Sequence, residues 1–269
     1  MDASYSPPVA QLLELGEDKV RQRTWPDYLA LGLTREHVPE LVRLLNDPEV
    51  QEYREGSARG FWPPIHAWRA LGQLQAEEAL QPLVTLLEET ADYDDWRCSE
   101  LPRVLGMIGP AAISPARRLV AREDLDESTR YAAMNVLTRV ATHWPDARDQ
   151  AVEVLTAFLR DWRDQDPEFN AFLIAELVDS GATEAAPLMA AAFEADAVEL
   201  SMNGDWEDVQ VRMGLLAERT TPRPRYMPLG LRNFSAGPGE APPNRVRSGR
   251  KTKNRRKEAR ASRKRNRRR

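Results

Sequence analysis

The chain has 269 residues, of which 42% are hydrophobic and seven are Trp, and carries a formal net charge of −4. That is enough apolar material for a buried core, and the single cysteine, Cys98, excludes an internal disulfide. No stretch approaches the ~18 apolar residues of a membrane span. Met1 to Val20 lacks the basic patch and apolar run of a secretory signal, so the expectation is a soluble cytoplasmic protein with no membrane partner.

Residues 7–15 and 25–32 read as short helices that cap the N-terminal end. Thr34 opens a better helix, in which Val38, Leu41, Val42 and Leu45 follow the i, i+3, i+4, i+7 pattern until Asn46-Asp47-Pro48 stops it. A loop through Gly56 and Gly60 leads to a helix with Trp62, Ile65, Trp68 and Leu71 on nearly one face. It closes at the small-residue break Leu71-Gly72, and its partner buries Leu80, Leu83, Val84 and Leu87. A third pair covers about 94–108 and 111–122 around Gly109-Pro110, with Pro102 and Pro115 expected to kink it or delay a helix start.

Asp126 or Ser128 caps the next helix, which turns Tyr131, Met134, Leu137, Val140 and Trp144 inward. Pro145 begins its partner, with Val154, Leu155, Phe158, Leu159 and Trp162 at helical spacing. Asp166-Pro167 pairs an N-cap with proline at the first helical position, and the helix it opens packs Phe169, Phe172, Leu173 and Leu177 before Gly181. Thr183 caps an Ala-rich helix to about Ala195, and Gly204-Asp205 restarts a last segment with Val209, Met213 and Leu216. No segment alternates with period two, so the expected class is all-α.

The phrase around Leu71 returns at Leu105, Leu137 and Leu177, at intervals of 34, 32 and 40 residues. Self-similarity at such a period signals stacked helix pairs, none of which buries its apolar face alone. The unit from Leu71-Gly72 to Glu89, with the proline that opens its second helix (Pro82, and likewise Pro39 and Pro187), resembles the HEAT-like repeats of phycobilisome-lyase type. The resemblance covers roughly residues 25–215 and implies an α-solenoid of antiparallel helix pairs over 1–219. It implies little about activity, because such repeats serve unrelated tasks. Relatives with a cysteine-rich zinc knuckle at the C-terminus do not match here, since no cysteine follows Cys98.

Beyond Thr220 the composition changes. Residues 220–244 read as a Pro/Gly-rich linker and 245–269 as a disordered polybasic tail. Of the 38 Lys and Arg and 42 Asp and Glu in the chain, fifteen basic residues and one acid fall between Arg245 and Arg269, so the tail carries +14 and the remainder −18. Arg250, Lys251, Lys253, Arg255, Arg256, Lys257, Arg260, Arg263, Lys264, Arg265, Arg267, Arg268 and Arg269 are the candidate polyanion contacts. Phosphate backbones are bound by charge density and counterion release, and no aromatic is interleaved for base stacking, so RNA, a ribosome or another polyanion is the expected partner.

Two acidic groups are candidate contacts for a protein partner: Asp94, Asp95 and Trp96, and Asp205, Trp206, Glu207 and Asp208. Acids ahead of a helix also favour its positive end, so both groups have a purely structural reading. His37, His66 and His143 and Cys98 lie apart on predicted helices, and no phosphate-binding glycine loop occurs. The expectation is therefore no catalytic, cofactor-binding or metal residues. The first functional expectation is a non-catalytic adaptor. The alternatives are a HEAT-like DNA glycosylase, for which a basic groove would need Arg117, Arg118, Arg122, Arg160 and Arg163, a phycobilin lyase without assignable residues, and a module whose tail folds onto its own acidic body.

Overall fold

The computed structural model describes residues 5–16, 24–51, 62–89 and 95–224. These residues form α-helices, short 3-10 turns and loops, with no strand among them. The chain divides into two compact units between Ala157 and Phe158. The tail arginines and lysines from Arg250 to Arg269, and Asp94, lie outside the described residues.

In the first unit the helices are α1 (Pro7–Ala10), α2 (Val38–Leu45), α3 (Pro48–Gln51), α4 (Trp62–Gln73), α5 (Leu80–Glu88), α6 (Asp95–Ile108), α7 (Ile113–Val120) and α8 (Glu127–His143), with α9 (Arg148–Leu159) crossing the boundary. Helix α4 packs between α2 and α6, and α6 packs between α4 and α8, while α5 lies on α6 and α7 on α8. The repeat leucines are the anchors of this packing: Leu71, Leu105 and Leu137 are all at most 1% exposed. Burying each contributes on the order of 1.5–3 kcal/mol.

The second helices begin alike. Helices α2, α5, α7 and α9 each follow a three-residue 3-10 turn, at Arg35–His37, Glu77–Ala79, Pro110–Ala112 and Pro145–Ala147. Pro39 and Pro82 fall in the first turns of α2 and α5, where a missing N–H costs least. Helix α4 ends with Gln75 left-handed at φ +48° and with Ala76 N–H donating to Leu71 C=O at 3.1 Å, which satisfies a terminal carbonyl of the helix.

Helix α4 ends at Gln73, one residue past the expected break at Leu71-Gly72, and Gly72 and Gly106 are both buried and face the next helix. Pro102 is buried within α6, and Pro115 stands in the first turn of α7. Two local expectations are corrected. Residues 25–32 form no helix beyond the 3-10 turn Leu29–Leu31; the backbone at Pro26 and Tyr28 is bonded to the Gln73 side chain instead. Asp126 stands at the start of α8, but its side chain accepts no bond from the helix backbone.

The second unit holds α10 (Pro167–Asp179), α11 (Ala186–Glu194), α12 (Leu200–Asn203) and α13 (Trp206–Arg212). Asp166 caps α10 by accepting from Glu168 N–H at 2.9 Å. Leu177 is fully buried and Ala182 N–H returns to its carbonyl at 2.9 Å, repeating the ending of α4. Two buried asparagines tie the unit together. Asn170 Nδ2 donates to the carbonyls of Trp162 and Ala197, both at 2.9 Å, and Asn203 Nδ2 donates to Ala171 C=O at 2.7 Å.

Candidate functional site

The acidic group at the start of α13 is built by a reciprocal cap. Asp208 N–H donates to Asp205 Oδ1 at 3.0 Å, and Asp205 N–H donates to Asp208 Oδ2 at 3.3 Å. Gly204 precedes it at φ +77°, and a Cβ there would collide with the Asp208 carboxylate, so the tight turn needs glycine. The chain then returns past the helix and its cations land on this cap. Arg219 reaches Asp205 at 2.5 and 2.8 Å and Asp208 at 2.9 Å, while Arg223 holds Asp208 at 2.7 Å.

Glu207 accepts from the hydroxyls and backbone N–H groups of Thr220 and Thr221, and these bonds lower its carboxyl to about 2. Hydrogen bonding from Arg219 likewise pulls the Asp205 carboxyl down and the Arg219 guanidinium up. The three acids of this candidate partner site are thus bonded to the chain's own residues 219–223. Trp206 is not: its ring lies 5.7 Å from that of Phe193 and lines an open groove of about 500 Å³. Val198 and Leu200 continue the apolar wall, and Glu194 and Asp196 place carboxylates at the groove.

In the first unit, Trp96 at the start of α6 meets Trp62 at the start of α4 edge-on, with ring centres 5.9 Å apart and planes at 81°. Further along both helices, α4 and α6 share a buried polar cluster. Arg69, 1% exposed, donates through Nε to Glu100 Oε2 at 2.7 Å and through a second nitrogen to Oε1, and Trp68 Nε1 donates to the same carboxylate at 3.0 Å. Beside it Tyr28 Oη and His66 Nδ1 are 2.7 Å apart and both residues are fully buried. Burial, with the Arg69 charge second, depresses the His66 imidazole to about 4, and burial raises the Tyr28 phenol. His66 is therefore a neutral core residue at ordinary pH.

Trp25 covers this cluster. Its ring receives the guanidinium of Arg103 at 3.9 Å and that of Arg69 at 4.9 Å, a pair of cation–π contacts. Arg103 and Arg139 are exposed, and Arg139 Nε donates to Asn135 Oδ1 at 3.2 Å. Burial lowers the Arg103 guanidinium, Glu100 opposes, and the charges of Arg139 and Arg69 lower it further. Only part of this arginine group was legible as a spacing: Arg69 and Arg103 lie 34 residues apart, each two residues before a repeat leucine, whereas Arg139 lies two residues after Leu137.

Of the arginines named for a basic groove, Arg122 is spent on Glu88 and Asp124, Arg118 donates to Ser114, and Arg163 lies over Trp162 at 4.0 Å. His143 is exposed, His37 caps Thr34 and Cys98 is half-buried in α6, so the sequence's reactive side chains do not converge. Among the described residues no three His, Cys, Asp or Glu are grouped to hold a metal ion, and no helix is long and apolar enough to cross a membrane. No protein-family model matches the chain, and no curated protein matches it.

Proposed function

We propose that the chain is a non-catalytic interaction scaffold: a HEAT-like α-solenoid over 1–219 that binds a protein partner, with a disordered basic tail that contacts RNA, a ribosome or another polyanion. The observation that carries the protein-binding half is the groove beside Trp206. Its apolar wall of Phe193, Val198, Leu200 and Trp206 is next to the carboxylates of Glu194 and Asp196. Such a surface suits a partner segment whose apolar side chains are flanked by Lys or Arg. The solenoid reading is supported in the first unit by equivalent leucines on successive neighbouring helices and by the recurring 3-10 entry of each second helix. The tail reading rests on charge density alone.

Affinity capture from the native cell, with and without nuclease, tests both halves. Nuclease-resistant proteins recovered by the full chain should be lost with Glu194→Lys, and nuclease-sensitive material should be lost on deleting residues 245–269. Recovery of the same proteins by the Glu194→Lys chain would refute the groove. One observation favours a second reading, in which the basic end folds back on its own body. Arg219 and Arg223, the first arginines after α13, are already bound by Asp205 and Asp208. In that case high salt should expose the tail to protease, and salt-independent cleavage would argue against it.

A further inference from the structure

The body of this chain is strongly acidic, yet α4, α6 and α8 bring three arginines together with one carboxylate, Glu100, and that carboxylate is committed to Arg69. Gly106 is what permits this. A Cβ on Gly106 would lie 3.0 Å from the carbonyl carbon and 3.2 Å from the Cα of Arg139, so α6 and α8 touch backbone to backbone at this point. Arg103 stands one turn before Gly106 on the same face of α6, which sets it beside Arg139. Neither Arg103 nor Arg139 has a carboxylate within ion-pair distance among the described residues. Both are held without one: Arg103 against Trp25, Arg139 by Asn135 one turn earlier on α8.

Two like charges fixed side by side, on an otherwise anionic protein, cost free energy that a stability argument does not recover. They gain from an anion. We infer that Arg103 and Arg139 form a phosphate-binding face of the first unit, which takes the backbone of a nucleic acid strand. A repeating polyanion fits better than a single phosphoryl group because the two cations sit on separate neighbouring helices, a step on the order of 8–10 Å or less across the packing. Trp25 is already covered by guanidinium groups, so the face offers charge and hydrogen bonds to phosphate and no platform for a base. The inference is independent of the tail, whose arginines lie more than a hundred residues further along the chain.

The test uses the full chain and a short single-stranded oligoribonucleotide, with affinity measured across a series of salt concentrations. Each lost phosphate contact should flatten the dependence of log K on log salt by about 0.7, so Arg139→Gln should reduce the slope by about 0.7 and Arg103→Gln with Arg139→Gln by about 1.4. Arg117→Gln with Arg118→Gln, an equal change of charge on α7, should leave it unaltered. Arginine-selective modification read by mass spectrometry should show Arg103 and Arg139 shielded by the oligonucleotide.

Equal slopes for the two double variants would overturn the inference, as would shielding confined to residues beyond Arg245, a result that leaves the tail reading standing. Absence of any binding by the full chain would remove both readings. Stronger shielding by tripolyphosphate or by a phosphopeptide than by the oligonucleotide, at equal charge, would also overturn it. Because the Arg139 guanidinium hydrogen-bonds Asn135 and takes no part in the Arg103–Trp25 contact, the single Arg139→Gln variant remains informative even if loss of that contact disturbs folding.

Discussion

Gly72 and Gly106 occupy equivalent places one repeat apart, and the structure predicts opposite outcomes for the same substitution. In Gly106→Ala the new methyl would meet the Arg139 backbone at 3.0–3.2 Å and its Cβ more closely still, so α6 and α8 must separate. Overpacking of this kind costs roughly 1–3 kcal/mol, against which alanine returns about 1 kcal/mol of helix propensity. Separation of the helices also loosens the seats of Leu105 and Leu137, so the net expectation is destabilisation by about 1–2 kcal/mol. In Gly72→Ala the methyl would sit 3.4 Å from Val104 Cα and Cγ1 and 3.5 Å from Met107 Sδ, ordinary van der Waals contact. There the propensity gain stands, and stability should be unchanged or up to about 1 kcal/mol higher. Urea denaturation followed by circular dichroism separates the two through their midpoints at constant slope. A Gly106→Ala protein as stable as the unmodified chain would refute the close approach of α6 and α8.

Glu100→Ala leaves the Arg69 guanidinium in the core without its carboxylate and should destabilise by about 3–5 kcal/mol, whereas Arg69→Met with Glu100→Leu should cost far less; urea midpoints of the single and double variants decide this. His66 titrates near 4 in the folded chain and near 6.5 when unfolded, so the unfolded state binds the extra proton between those values. Its contribution is present in full above about pH 6.5 and declines by up to about 3 kcal/mol as pH falls toward 4, a decline that His66→Gln should lack; parallel pH profiles for the two proteins would refute it. Asp205→Ala removes a helix cap, at a cost of about 1 kcal/mol, and frees Arg219. Cleavage by trypsin after Arg219 should then accelerate, and an unaltered rate would show that Thr220 and Thr221 on Glu207 suffice to hold the segment.

The parts of the fold that were legible in the sequence are those set by short-range chemistry. Leucines at helical spacing, prolines in first turns and the Asp166 and Asp205 caps all express rules that span a few residues, and they stand where expected. Glycine was read in part: Leu71-Gly72 stands one residue from the end of α4 as expected, but only contact with α6 reveals its packing role. Residues 25–28 were read as helix because nothing nearby announces that Gln73, 45 residues away from Tyr28, will bond the backbone of that stretch. The site followed the same division. Asp205 and Asp208 were recognisable as acids before a helix, but their occupants, Arg219 and Arg223, lie 14 and 15 residues downstream in what read as the end of the solenoid and the start of the linker. Arg69 and Arg103 carried a signal, each standing two residues before a repeat leucine, but Arg139 stands two residues after Leu137, and only the contact of α6 with α8 at Gly106 brings it beside them.

That contact also explains why one residue governs both stability and the anionic face. Gly106 fixes the distance between α6 and α8, and hence how far Arg103 lies from Arg139. Moving the helices apart weakens the repulsion between the two guanidinium groups, which by itself would favour the folded state; it also dissolves the paired arrangement a phosphate backbone would engage. Gly106→Ala is therefore expected to lower stability through packing while partly relieving charge, and to flatten the salt dependence of oligonucleotide binding without removing a single cation. Gly72→Ala changes neither distance. If the two alanine variants bind with the same salt slope, the charges act as loose surface cations rather than a site shaped by the helices. The cause of the Gly106 close approach would then be packing density alone.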